Sequence, residues 1–306
     1  MPAMPNGHSS DQLDRSPLPP QQDPLLSRHR LRVSLRWWRE RRGLTQQQVA
    51  EALEWSKAKV VRIESGAVRV TAIDVRALLT LYGVSDDDES RRLVALARAA
   101  RRRPWYHAYA TALDRDYDFY LSYESFSVSI DTFHFLLIPG LLQTQDYARA
   151  VMRANGAEDP DSRVALRLER QARLIRESGP ALHCVIDEAA LYRQVGGAAV
   201  MREQLLKLKD AAGPAISVGI IPFAEGAHAS MSEPFTLLTL DTGEDVLHQE
   251  SATRTVTIRE NADLVTGYRG RFERLREQAV YGEQAGRLTD AAIRSLPDTA
   301  PARKSG

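Results

Sequence analysis

Residues 41–66 read RRGLTQQQVAEALEWSKAKVVRIESG, and the reading of this stretch decides the fold of the first third of the chain. Thr45 stands where an N-cap is wanted, with Gln48 three residues on to close a capping box, and Val49, Ala50 and Leu53 carry a short second helix. Ser56 is the next N-cap, and Lys57–Ser65 form a third helix with Val60 and Ile63 facing inward and Gly66 as its stop. Only Glu54 and Trp55 separate the two helices. So short a connection makes them cross steeply, the helix-turn-helix arrangement in which the second of the pair projects outward, where the major groove of a duplex receives it.

Working outward, Leu31, Leu35 and Trp38 fall at i, i+4 and i+7, the apolar stripe of a first helix whose other faces carry Arg32, Arg36, Arg39 and Arg41; Gly43 stops it. Thr71 caps a fourth helix ending at Gly83, with Ile73, Ala77, Leu78 and Leu81 expected inward, and a fifth is expected over Asp88–Arg103, closed by Pro104. Trp37, Trp38 and Trp55 are read as packing groups, because duplex DNA offers no unstacked base faces. Charge follows the same boundary. Residues 27–103 hold eighteen Lys and Arg against nine Asp and Glu, whereas Pro104 onward is net acidic, although the whole chain is only +1. A polyanionic partner is therefore expected at the first domain.

Residues 31–83, with Arg41-Arg42-Gly43-Leu44-Thr45-Gln46 in the middle and Val60-Val61-Arg62-Ile63-Glu64-Ser65-Gly66 at the outward helix, resemble the lambda-repressor and Cro (xenobiotic-response-element) family of DNA-binding domains. The resemblance implies a five-helix module. It implies that Gln46, Ser56, Lys59, Ser65 and Arg69 touch the DNA backbone, that Lys57, Ala58 and Arg62 face bases, and that Arg39 and Glu64 form a structural ion pair. Helix N-termini and Gln or Ser side chains suit phosphate oxygens, while Lys57 and Arg62 suit guanine O6 and N7.

Beyond Pro104 the pattern becomes an alternation of strands and helices. Phe126–Ile138 reads as strand, Gln145–Ala154 and Pro160–Ser178 as helices, the latter with Val164, Leu168, Ala172 and Ile175 on one face. Leu182–Ile186 and Ile216–Ile221 are apolar runs of buried strands, with short and long helices at Glu188–Tyr192 and Ala198–Ala211 between them, a βαβ order that implies parallel pairing. Phe235–Leu240, Val246–Gln249 and Thr255–Ile258 form an expected meander, and Asn261–Ala279 a closing helix. The fold class expected is thus multidomain: an all-α helix-turn-helix domain, then a mixed α/β domain containing a βαβ unit.

Catalytic and metal chemistry find little support. Asp187 and Glu188 at a strand end, with His228 and Glu250, are the acid/base candidates, but Asp187 is better read as a helix cap. Asp114, Asp116 and Asp118 have the spacing of a calcium loop without its Gly and distant Glu. His134, His183 and His248 lie in strand-like runs without ligand spacing, and the single Cys184 excludes an internal disulfide. Gly196-Gly197 is a turn. The loop from Pro222-Phe223 to Gly226-Ala227-His228 follows a buried parallel strand, where such sheets place ligands. No catalytic residue, metal or cofactor is expected.

Ile138-Pro139-Gly140-Leu141-Leu142-Gln143-Thr144, Val185-Ile186-Asp187-Glu188-Ala189-Ala190-Leu191 with Val195-Gly196-Gly197, and Ile221-Pro222-Phe223 through Gly226-Ala227-His228 to Pro234-Phe235-Thr236-Leu237-Leu238 resemble a domain of unknown function that follows a helix-turn-helix in many actinobacterial regulators, antitoxin-like ones included. That resemblance implies an architecture and a partner class, not a reaction. The expected organisation is a disordered tail over 1–26, the DNA-binding domain over 27–103, an α/β regulatory or partner-binding domain over 104–285, and a tail over 286–306. The first 26 residues lack an apolar run fit for a signal peptide or a span, so a soluble cytoplasmic protein is expected. The expected partners are double-stranded DNA, a second copy of the chain, and a small partner protein or small-molecule effector, with no membrane; the protein is expected to be a regulator and not an enzyme.

Overall fold

The computed structural model describes residues 23–112, 115–175, 179–250, 255–258 and 261–297. The chain divides between Pro104 and Trp105 into two compact units.

The first unit is all helix: α1 (Pro24–Arg41), α2 (Gln46–Ala52), α3 (Lys57–Ser65), α4 (Ala72–Tyr82) and α5 (Asp87–Ala99). Helix α1 starts seven residues before Leu31 because Asp23 Oδ1 accepts from Leu25 N at 2.8 Å and Pro24 occupies the first turn, where its missing N–H costs nothing. The last part of the expected disordered tail is therefore helix, and residues 1–22 lie outside the described residues. Thr45 with Gln48 and Thr71 with Asp74 close capping boxes on α2 and α4, and Ser56 Oγ accepts from Lys59 N at 3.2 Å to cap α3. The tight α2–α3 turn puts Glu54 in the left-handed region at φ 54°, and Gly66 ends α3 at φ 76°, where a side chain is strained. Leu31, Leu35, Val49, Val60, Ile63, Val75, Leu78, Tyr82, Leu93 and Leu96 make one core.

One face is corrected. Helix α4 buries Val75, Leu78, Leu79 and Tyr82, whereas Ile73 is 76% exposed and Ala77 and Leu81 only half-buried. Anchored on Leu78, the 3.6-residue period selects 75, 79 and 82 and turns position 73 to solvent.

The second unit is built on a six-stranded mixed sheet. In chain order it contains α6 (Arg115–Glu124), β1 (Ser127–His134), α7 (Gln145–Ala154), α8 (Pro160–Leu174), β2 (Ala181–Asp187), α9 (Ala189–Tyr192), α10 (Ala198–Asp210), β3 (Ile216–Ile221), β4 (Phe235–Leu240), β5 (Asp245–Glu250), β6 (Thr255–Ile258), α11 (Ala262–Gln278) and α12 (Gly282–Ser295). The strand order is β3-β2-β1-β4-β5-β6. β1, β2 and β3 are parallel, with α10 in the β2–β3 crossover, and β4, β5 and β6 continue from β1 as an antiparallel meander. One sheet face, with Phe133, Val185, Phe235, Leu237 and Leu247, packs on Tyr268, Phe272 and Leu275 of α11. At its polar margin Arg269 of α11 pairs with Asp131 and Asp245.

Two expectations change here. Residues 286–297 are not tail: α12 packs on α10 and β3 through the small buried side chains Ala285, Thr289 and Ala292. Before it, Val280 exchanges two backbone hydrogen bonds with Ile220 of β3 (3.0 and 2.8 Å), and Gly219 leaves room for Tyr281, whose ring would lie 2.7 Å from a Cβ there. The stretch between Pro104 and β1 folds as a 3-10 turn (Trp105–Ala112) and α6. Of the aspartates spaced like a calcium loop, Asp114 lies outside the described residues. On α8, Val164 is buried, but Leu168 is only half-buried and Ala172 and Ile175 are exposed; Arg170 and Gln171 are buried in their stead. Residues 298–306 lie outside the described residues.

Candidate nucleic-acid interface

The capped start of α3 and its buried Val60 and Ile63 fix which side of that helix looks outward. Lys57, Ala58, Val61, Arg62 and Ser65 are exposed at i, i+1, i+4, i+5 and i+8, one continuous stripe. Val61, 39% exposed, is the member the sequence reading passed over, because an apolar residue next to Val60 looks like core; its outward direction follows from α3's phase. It adds a methyl-bearing surface beside Ala58, suited to thymine methyls. Arg62 Nε donates to Ala58 O at 3.2 Å, so its side chain lies back along its own helix. Ser56 and Arg69 are exposed at either end of α3, and Ser65 Oγ donates to Arg62 O at 3.2 Å.

Two residues assigned to the DNA backbone are turned inward. The Gln46 amide donates to Glu64 Oε2 at 2.9 Å. Lys59 Nζ pairs with Asp74 Oδ1 at 2.7 Å while sitting 3.4 Å from the Trp55 ring centroid; burial would raise the Asp74 carboxyl, but this pair together with the hydrogen bonds from Thr71 holds it below its ordinary range. Both are joints between helices, and a phosphate contact by either requires breaking an internal bond.

Glu64 is the hub of the module. Arg39 of α1 presents Nε and Nη2 to its carboxylate at 2.6 and 3.0 Å, and Arg39 Nη1 also donates to Leu44 O at 2.8 Å. With Gln46 this ties α1, α2 and α3 at one point, and it fixes the angle at which α3 stands out. The Glu64 hydrogen bond raises the Arg39 pKa against the effect of burial. Glu64→Ala is expected to lower the stability of the first unit by about 2–3 kcal/mol, the scale of a lost charged hydrogen-bonded pair. Calorimetry of the full chain checks this, and a variant as stable as the parent refutes the hub.

In the second unit, His228 Nε2 lies 3.1 Å from Asp187 Oδ2, and Ser230 N donates to His228 Nδ1 at 3.3 Å, which leaves the Nε2 proton to point at Asp187. Asp187 Oδ1 caps Ala189 N at 2.7 Å, and Glu188 Oε2 accepts from Phe223 N at 2.7 Å. Both carboxylates thus hold the β2 end and the loop after β3 together. Glu250 lies elsewhere, on β5. His134, His183 and His248 lie on β1, β2 and β5, and Cys184 is buried on β2, where burial pushes its thiol well above the ordinary range. Among the described residues no His, Cys, Asp and Glu gather as a metal site, and no helix is long and apolar enough to cross a membrane.

Comparison with protein families matches residues 30–93 to a helix-turn-helix domain and residues 117–289 to a domain of unknown function (DUF5753). Comparison with curated proteins and with solved structures gives no match.

Proposed function

The chain belongs to the DUF5753 family and carries a helix-turn-helix domain ahead of that domain, and from this premise we propose that it is a sequence-specific DNA-binding transcriptional regulator of the lambda-repressor/Cro type, of actinobacterial kind and cytoplasmic. The observation that carries the reading is the outward stripe of α3, cationic at Lys57 and Arg62 and apolar at Ala58 and Val61, held clear of the core by the Glu64 hub. Lys57, Ala58 and Arg62 read bases in the major groove; Ser56, Ser65 and Arg69 contact phosphates, and Gln46 and Lys59 do so on leaving their internal partners. One such helix is too small an interface for tight specific binding, so the protein acts as a homodimer on a pseudo-palindrome. The second unit senses a small-molecule effector, dimerises or holds a partner, and catalyses nothing.

A duplex recovered by genomic selection with the purified chain provides the test. Arg62→Ala is expected to weaken binding to that duplex roughly 10- to 100-fold, with little effect on random DNA, and Arg69→Ala to weaken both and reduce the salt slope by about one. Equal losses for the two variants on both duplexes overturn the assignment.

A second reading is an antitoxin-like protein that holds a small partner protein and autoregulates. It draws on the exposed pair Tyr192 and Phe223, 39% and 59% accessible and stacked with centroids 6.0 Å apart at the β2 and β3 ends.

A further inference from the structure

The sheet face opposite α11 carries a polar row. Register sets Thr132 of β1 against Thr236 of β4, Thr236 against His248 of β5, and His248 against Thr257 of β6. The row is internally bonded: Thr132 Oγ1 lies 2.9 Å from Thr236 Oγ1, and His248 Nδ1 lies 3.1 Å from Thr257 Oγ1. His134, two residues beyond Thr132, faces the same side. Helix α6 packs on this face, with Tyr120 stacked on His248 at 3.8 Å, and α8 brings Arg163, Arg167 and Arg170, spaced i, i+4 and i+7 on one stripe. Together they enclose a cavity of about 620 Å³, within the range of small-molecule sites.

The three arginines differ in what they hold. Arg163 is exposed. Arg170 is closed, with Nε and Nη2 on the Glu124 carboxylate at 2.9 and 2.6 Å and Nη1 on Tyr117 Oη at 2.6 Å. Arg167 is open. Its Nη1 donates to the Gln143 side-chain oxygen, a neutral acceptor, and among the described residues no carboxylate lies within ion-pair distance. Among the described residues its Nε and Nη2 find no acceptor, yet that is the edge which Arg39, Arg92, Arg170 and Arg269 each present to a carboxylate in this same chain. Among the described residues Glu250 is the only carboxylate lining the cavity, and it makes no ion pair with Arg167. A largely desolvated cation with no ion-pair partner among the described residues is costly: burial lowers the Arg167 pKa from its ordinary value, against a weaker opposing pull from Glu250 across the cavity.

We propose that this cavity binds a small organic carboxylate with an aromatic body, its two oxygens on Nε and Nη2 of Arg167 and its ring beside Tyr117 and Tyr120. The open fork of Arg167 matches one carboxylate in charge and geometry, and Glu250 in the same lining opposes the higher charge of a phosphate dianion, while Arg163 stands exposed at the cavity and outside that fork. The assignment gives a chemical class to the effector and rests on the reading of the second unit as a sensor. It also moves the effector away from the loop at Pro222–His228, where sequence reasoning placed a pocket and where His228 is closed on Asp187.

Thermal-shift titration and calorimetry of the full chain with benzoate, cinnamate and indole-3-acetate, each beside its amide, and with inorganic phosphate as a further arm, test the proposal. At least one carboxylate is expected to bind and stabilise the protein where its amide does not. Its affinity should fall roughly tenfold or more in Arg167→Met, a variant expected to remain folded by circular dichroism and as stable as the parent, since it removes a desolvated cation that has no ion pair among the described residues. Carboxylates no better than their amides, affinity unchanged in Arg167→Met, or binding by phosphate alone overturns the proposal. Arg62→Ala, impaired on DNA, should keep the carboxylate response in full; a carboxylate response without any DNA binding by the parent chain sinks the regulator reading alone.

Discussion

Replacing Glu124 by alanine is expected to destabilise the second unit by about 3–5 kcal/mol, the cost of stripping the counter-charge from a buried cation. Glu124 and Arg170 are only 2% and 5% exposed. Beyond the two guanidinium bonds, Glu124 Oε1 accepts from Tyr120 Oη at 2.7 Å, and Arg170 Nη2 donates to the same phenol at 3.2 Å. Burial pushes the Tyr117 and Tyr120 phenols above their ordinary range, so both stay protonated and neither replaces the lost anion. The loss comes beside a second cation, Arg167, which forms no ion pair among the described residues and lowers the tolerance for another unpaired charge. Calorimetric unfolding of Glu124→Ala, with the double variant Glu124→Leu/Arg170→Met beside it, separates charge from packing. The double variant should recover most of the loss, because replacing both partners leaves no orphan charge. A single variant within about 1 kcal/mol of the parent, or a double variant worse than the single, refutes the account.

Acidification should undermine the same region well above the pH at which carboxylates protonate. Burial, with Arg167 nearby, lowers the His134 pKa to about 4, and burial, with Arg170 and His134, lowers that of His248 to about 3. Unfolded, each titrates near 6.5. Because the folded values are depressed, the unfolded chain takes up protons first, so the stability these imidazoles contribute is intact above about pH 6.5 and drains away as the pH falls toward 4 and 3. At pH 5 each has forfeited about 2 kcal/mol, together about 4. The lowered carboxylates, Asp74 and Asp245 among them, begin to matter only below their unfolded values, near pH 4. Denaturant unfolding at pH 7 and pH 5 measures the slope, and His248→Gln should remove about half of it; a stability unchanged between those pH values excludes buried neutral imidazoles at both positions.

What the sequence could disclose depended on how each element announces itself. Helices α2, α3 and α4 carry their own caps at Thr45, Ser56 and Thr71 and stops at Gly66 and Gly83, so local chemistry alone places them. Strands β2 and β3 are continuous apolar runs and were equally legible. Helix α12 buries Ala285, Thr289 and Ala292, side chains too small and mixed to register as an apolar stripe. Helix α8 inverted its signal: an arginine stripe normally marks the solvent face, and only the arrival of Glu124, Tyr117 and Gln143 from distant parts of the chain makes its burial possible. The outward stripe of α3 was legible for the same reason as its helix, but the inward turn of Gln46 and Lys59 was not, since Glu64 and Asp74 become their partners only after folding.

The bonds between Val280 and Ile220 have a consequence for anyone cutting the chain. Strand β3 is outermost in the sheet, and an outermost strand left bare is a template on which a foreign backbone can add itself. Here the chain shields that border with its own Val280 and then with α12, Tyr281 lying flush over Gly219. A fragment trimmed to the matched family segment, 117–289, would sever α12 midway, and one ending before Val280 would bare the border altogether, inviting strand-to-strand aggregation. A workable piece of the second unit therefore runs at least through Leu296, whose buried side chain closes the end of α12.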